Sequence, residues 1–147
     1  MLDENDMKIV ELLKTDARLT TKQISKKTLL PITTVHNRIK KLERMGIIKH
    51  YSAIIDYKKL GKAISAYILM TIDYAYLKQK NITQHDLARS IKGHPWVHDV
   101  SMVTGNTDMV LKVVVNDVNQ LDEFVTKYLR NMDGIQKTQT MIVLSDF

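Results

Sequence analysis

The residues best suited to chemistry lie in "PITTVHNRIKKLERMGIIKHY", residues 31–51. This stretch carries Arg38, Lys40, Lys41 and Arg44 against one acid, Glu43, and interleaves them with Thr33, Thr34, His36 and Asn37. Guanidinium and ammonium groups beside amide, imidazole and hydroxyl groups suit recognition of a polyanion. The cations meet phosphates, and the neutral donors and acceptors can read base edges. On a helix turning about 100° per residue, Thr33, Asn37, Lys40 and Arg44 share one face, flanked by His36 and Lys41. Thr33, His36 and Asn37 lie in the first turns and are the expected base readers. An amide can pair with adenine, and a threonine methyl can touch the thymine methyl. Lys22, Lys26, Lys40, Lys41 and Arg44 are the expected phosphate contacts, because a flexible cationic chain positions without specifying. Thr34 and Arg38 complete the candidate DNA-binding set.

Such a face needs a scaffold, and the first third of the chain supplies one. Asp3 is an N-cap with Glu4 and Asp6 in the first turn, where acids suit the positive end of the helix dipole. Met7, Ile9, Val10, Leu12 and Leu13 form a helical stripe up to Lys14. Thr20 or Thr21 caps a short second helix, "KQISKKT", which buries Ile24 and exposes Lys22, Lys26 and Lys27. Leu30 precedes a proline and is biased away from helix. Pro31 then opens a third helix over residues 32–45. Its core side is Val35, Ile39 and Leu42, and Gly46 closes it. The runs "IIKHY" and "SAIID" are β-prone and predict a small hairpin, or wing. Three helices and a ribbon in this order predict a winged helix-turn-helix over residues 1–50, with its third helix in a DNA major groove.

Charge placement points the same way. Net charge is +6. Residues 1–61 hold 13 Lys/Arg against 7 Asp/Glu, whereas residues 62–147 hold 9 of each. A basic unit is therefore joined to a neutral one, which suggests a polyanion partner for the first. The hydrophobic fraction, 44%, is that of a globular chain, and no apolar run approaches the ~18 residues of a membrane span. The start, "MLDENDMK", is acidic and polar, unlike a secretory signal. The absence of cysteine excludes disulfide frameworks, thiolate zinc sites and cysteine nucleophiles, and makes the cytoplasm the expected compartment.

Beyond a hinge at residues 51–61, containing "DYKKLG", the pattern changes. Strands are expected at residues 63–73, 96–104 and 108–115, and in "IQKTQTMIVL". Helices are expected in "QHDLARSIKG", capped by Thr83 and closed by Gly93, and in "NQLDEFVTKYLRNM". "GNT" makes a hairpin turn after Thr104. "DYAYLKQKNITQ" reads as a surface loop. The order βαββαβ over residues 62–147 is the ferredoxin-like split unit, so the fold class is α+β. Met109, Leu111 and Val113 alternate with Val110 and Val114, which predicts a sheet covered on both faces, one of them by a second subunit.

Helix-turn-helix, wing, hinge and βαββαβ in this order resemble the Lrp/AsnC (feast/famine) family of transcriptional regulators. "LDENDMKIVELLKTDAR", "TVHNRIKKLERMGIIKHY", "IDYKKLG" and "VTGNTDMVLKV" carry the resemblance, which covers essentially the whole chain. It implies a prokaryotic DNA-binding protein that forms dimers through its sheets and often assembles into tetramers or octamers. It also implies an amino-acid effector bound near the turn "TGNTD". Gly105 and Asp108 match the family's glycine and aspartate, with Asn106 and Thr107 between them. Glycine allows close backbone approach, and a carboxylate can hold a ligand ammonium. The residues also suit a plain hairpin turn. Two positions depart from the family: Pro31 stands where a capping serine is frequent, and Thr107 where an aromatic residue is frequent.

An enzyme of the same architecture is the competing reading, because siroheme decarboxylases resemble this family in both domains. His85, His94 and His98 would be its candidate groups. Pro95 prevents the helical spacing that would set His94 and His98 on one side as metal ligands. There is no nucleophile elbow, phosphate loop or paired-carboxylate motif, so no catalytic residue, metal or cofactor is expected. RNA binding through the sheet would need aromatic residues on central strands, and "DMVLKVVV" has none.

Overall fold

The computed structural model describes residues 1–145. The chain forms two compact units, one over Met1–Ile55 and a second from Asp56 onward.

In the first unit, α1 (Glu4–Thr15), α2 (Thr21–Thr28) and α3 (Ile32–Arg44) surround a small core. Local chemistry sets each start. The Asp3 carboxylate accepts the Asp6 N–H at 2.9 Å, and the Asp6 carboxylate accepts the Asp3 N–H at 3.2 Å, a reciprocal capping box. Thr20 and Gln23 do the same for α2, at 3.2 and 2.8 Å. α2 ends at Leu29, whose φ of 60 places a non-glycine residue in the left-handed region. Pro31 is the N-cap of α3 and offers no side-chain hydrogen bond. Ile9, Ile24, Val35 and Leu42 are fully buried, with Ile39 and Ile48 packed against them.

The expected hairpin does not form. Residues 47–56 contain no strand. The amides of Ile47 and Ile48 instead donate to the Leu42 carbonyl, at 3.0 and 3.3 Å, closing α3 through Gly46 at φ +69. Helix closure thus consumes the first donors a ribbon would need. Ile54, β-prone but with nothing to pack on, is 104% exposed.

The second unit contains β1 (Ile64–Ile72), α4 (Tyr74–Lys80), α5 (Gln84–Lys92), β2 (Val97–Met102), β3 (Met109–Val115), α6 (Val118–Glu123) and β4 (Ile135–Ile142). The strands form one antiparallel sheet, ordered β2-β3-β1-β4. Alternation supplies the core: Ala66, Ile68 and Met70 from β1 meet Met109, Leu111 and Val113 from β3, with Leu87, Ile91, Leu121 and Phe124 above them. On the opposite face Tyr67 and Met141 are exposed and Val110 is half-buried, while Val114 is buried.

Two local expectations fail in this unit. The segment read as a surface loop contains α4. Asp73 caps it, accepting the Tyr76 N–H at 2.9 Å, Leu77 buries into the core, and Asn81 ends it at φ 55. The final helix, expected to be continuous, changes pitch: α6 runs into a π-helical stretch, Phe124–Leu129.

Candidate nucleic-acid interface and ligand turn

The α3 sequence sorts its polar residues into two groups. Thr33, His36, Asn37, Lys40 and Arg44 are exposed, opposite Val35 and Leu42. Thr34, Arg38 and Lys41 are half-buried. Lys22 and Lys26 are exposed on α2. Lys40 is paired with Glu43 at 2.8 Å, and Glu43 also accepts the Tyr51 hydroxyl at 3.0 Å. These bonds, Lys40 first, hold the Glu43 carboxyl below its ordinary range.

Arg38 and Lys41 turn inward onto Asp6, which is 0% exposed. Arg38 Nη1 donates to Asp6 Oδ1 at 2.6 Å and to both Asp3 oxygens at 2.7 Å. Lys41 Nζ donates to Asp6 Oδ2 at 2.7 Å and to the Met1 carbonyl at 3.2 Å. The Lys41 bond, and after it Arg38 and the Asp3 amide, outweigh burial and hold the Asp6 carboxyl down at about 2. Asp3 and Asp6 in turn raise the Arg38 guanidinium further. A buried carboxylate thus grips two cations one turn apart and ties α3 to the start of α1. Asp3, Thr34, Asn37, Arg38, Lys41 and Arg44 line an open cleft of about 420 Å³ at that junction.

The expected base readers therefore share one surface with Lys40 and Arg44, whereas Arg38 and Lys41 are engaged elsewhere. Sequence reasoning treated Asp3 and Asp6 only as acids at a helix start. The missed signal was a second use for Asp6, with cations at positions 38 and 41 of a helix whose apolar face meets α1. Tyr51, which bonds Glu43, was also missed.

In the second unit, residues 103–108 connect β2 to β3. Gly105 has φ +110, a conformation that favours glycine, and a side chain there would meet no atom within 4 Å. Gly105 and Asn106 are exposed, and Thr107 and Asp108 are half-buried. Asp108 is heavily bonded: its N–H donates to the Met70 carbonyl at 2.9 Å and its carbonyl accepts from Val103 at 3.0 Å. Its Oδ2 accepts the Ile72 N–H at 2.8 Å, and its Oδ1 accepts the Tyr74 hydroxyl at 2.9 Å. This carboxylate raises the Tyr74 phenol above its ordinary value.

The histidines do not converge. His94 lies among aromatic rings, 4.4 Å from Tyr128 and 4.9 Å from Phe124 between centroids, and burial lowers its imidazole from the ordinary value. His98 meets the edge of Tyr57 at 5.6 Å, and His85 is exposed on α5. Among the described residues no group of three metal-ligating side chains gathers.

A three-helix unit with a polar, cationic third helix, followed by a four-stranded antiparallel sheet backed by helices, defines a regulator with separate DNA-binding and ligand-binding domains. The family model for winged helix-turn-helix DNA-binding matches residues 2–49, and that for the Lrp/AsnC ligand binding domain matches residues 68–147. The chain belongs to the Lrp/AsnC family of transcriptional regulators. It is 36% identical over 143 residues to the HTH-type transcriptional regulator FL11 of Pyrococcus horikoshii, covering 97% of this chain and 89% of that one. An uncharacterized HTH-type transcriptional regulator of the same organism is 36% identical over 142 residues, covering 97% and 92%. Among solved structures, the regulator NMB0573 of Neisseria meningitidis in complex with L-Met superposes with a TM-score of 0.88 at 29% identity, covering 99% of this chain and 92% of that one.

Proposed function

We propose that this protein binds duplex DNA sequence-specifically through α3 and regulates transcription in response to an amino acid. The observation that carries the DNA reading is the shared exposed face of Thr33, His36, Asn37, Lys40 and Arg44. In this reading Thr33, His36 and Asn37 meet base edges, and Lys22, Lys26, Lys40 and Arg44 meet phosphates, Lys40 by exchanging Glu43 for a phosphate. Thr34 lies at the rim of the face. Arg38 and Lys41, expected from sequence to touch DNA, hold the helix in place through Asp6. Residues 51–61 act as the hinge between a DNA-binding domain at 1–50 and an assembly domain at 62–147.

The protein acts as a homodimer or a higher assembly, so that two α3 helices meet successive major grooves. The residues of the turn, Gly105, Asn106, Thr107 and Asp108, form part of the effector site. The L-Met complex of the Neisseria regulator supports an amino acid as the ligand class. No described helix is long and apolar enough to cross a membrane, and the cytoplasm is the compartment where the proposed DNA partner resides. The reading calls for no catalytic step.

Asn37→Ala tests the orientation of α3. Binding to an operator and its single-base variants should lose about 1–3 kcal/mol of discrimination at one base position and little elsewhere. An unchanged preference at every position would show that α3 does not present this face to the bases.

A further inference from the structure

Both carboxylate oxygens of Asp108 accept hydrogen bonds, and one of the donors lies on an element the sequence did not reveal. Tyr74 is the first residue of α4 and Gln84 the first of α5. The Tyr74 hydroxyl lies 2.9 Å from Asp108 Oδ1 and 3.0 Å from the Gln84 side-chain oxygen. A phenol has one proton, so it cannot donate to both acceptors. The ionised carboxylate is the stronger acceptor and takes the proton. Gln84 is then satisfied with its amide turned to donate its N–H to the Tyr74 oxygen, an orientation set by the hydrogen-bond network. The result is a relay from Gln84 through Tyr74 to Asp108, closed on the far side by the Ile72 N–H. One carboxylate thereby gathers the end of β1, the starts of α4 and α5, and the turn before β3.

The two oxygens of Asp108 differ. Oδ2 faces the backbone of Ile72 in a partly buried bond, whereas Oδ1 is held in an exposed one. Tyr74 itself is 52% exposed. The oxygen open to an incoming cation is therefore the one that Tyr74 occupies, and the phenol can swing into water at little cost. α4 is otherwise held by the Asp73 cap, by Tyr76, which packs half-buried on the core and bonds Asp133, and by Leu77. Leu77 is its only buried residue, and it packs so closely on Gly134 that an added Cβ there would sit 2.6 Å from Leu77 Cδ2.

We propose that Tyr74 is a latch on Asp108, and that an ammonium-bearing effector binds by taking Oδ1 from the phenol and releasing the first turn of α4. This rests on the reading of residues 104–108 as part of the effector site with Asp108 facing the ligand ammonium, and it adds the group that the ligand displaces and the element that reports its arrival. The phenol's bond to the carboxylate is already charge-assisted, but an ammonium adds a full opposite charge to its hydrogen bond, so the ligand outcompetes the phenol through that added Coulombic attraction. A ligand without an ammonium has no means of opening the latch.

The test is calorimetric titration of the full chain with the twenty amino acids, then of Tyr74→Phe with the tightest of them and with its N-acetyl derivative. Phe keeps the ring and removes only the competing hydroxyl. The variant should bind the amino acid roughly 3- to 10-fold more tightly, as expected for loss of one competing hydrogen bond. The N-acetyl compound should bind neither protein appreciably. Gln84→Leu should tighten binding in the same direction by less. Amide exchange supplies an independent readout. In the wild type the α4 amides should exchange faster on adding the amino acid, and in Tyr74→Phe they should be fast from the start. Equal or weaker binding by Tyr74→Phe overturns the latch and leaves the effector reading standing. No binding of any amino acid by either protein overturns both.

Discussion

Replacing Asp6 by Asn keeps the shape of the side chain and removes the charge that holds Arg38 and Lys41. The carboxyl is held at about 2 against an ordinary 3.8, which corresponds to about 2–3 kcal/mol of folding free energy at neutral pH. Breaking a buried ion pair by deleting one partner ordinarily costs about 3–5 kcal/mol. Here Arg38 keeps its bonds to Asp3, and the Lys41 side chain is 34% exposed, so both cations retain some compensation. We expect a loss of about 2–3 kcal/mol. In a domain as small as Met1–Ile55 that lowers the midpoint of its thermal transition by roughly 10–20 °C. The measurement is thermal unfolding of both proteins by circular dichroism from pH 7 down to pH 2. The carboxyl is more acidic folded than unfolded, so its contribution is complete above about pH 4 and disappears as the pH falls through about 2. The gap between wild type and Asp6→Asn should therefore narrow progressively below pH 4. Equal midpoints at pH 7, or a gap that persists unchanged at low pH, would refute the claim that the buried carboxylate organises this unit.

The division of cations gives a second prediction. Arg44→Ala should weaken binding to all DNA sequences and reduce the dependence of log K on log salt by about one ion, as for one lost phosphate contact. Lys41→Ala should leave that slope nearly unchanged and lower thermal stability instead, so equal slope losses would contradict the assignment. At the α2–α3 turn, Leu29 is 90% exposed in a left-handed conformation. Leu29→Gly should stabilise the unit by about 0.5–1 kcal/mol in urea unfolding, since relief of the backbone penalty exceeds the added freedom of the unfolded chain. A destabilised variant would mean that the Leu29 side chain makes contacts that outweigh the strain.

Several parts of this fold were legible because short-range chemistry determines them. Asp3, Thr20 and Thr83 cap the helices assigned to them, and each bonds a backbone N–H three residues on. Strict alternation along β3 placed Met109, Leu111 and Val113 in the core. The features that were not legible depend on distant partners or on subtle pitch. α4 spans two turns with one buried residue, too short for a periodic signal. The grip of Asp6 on Arg38 and Lys41 joins residues more than 30 positions apart, and the same acids already had a sufficient local explanation at the start of α1. The ribbon was over-predicted because β propensity measures fit to a neighbouring strand, and residues 47–56 find none within their unit. At the ligand turn, residue types suggested an ammonium contact for Asp108, but its bonds to Ile72 and Tyr74 could not be seen without the fold.

The central claim, that α3 reads duplex DNA as part of a two-fold assembly, is tested most directly by selecting bound genomic fragments and footprinting the best of them at saturation. We expect protection of two inverted half-sites whose centres lie about one helical turn, or a whole multiple of one, apart. Binding that favours no sequence over another, or protection of a single asymmetric half-site, would contradict it.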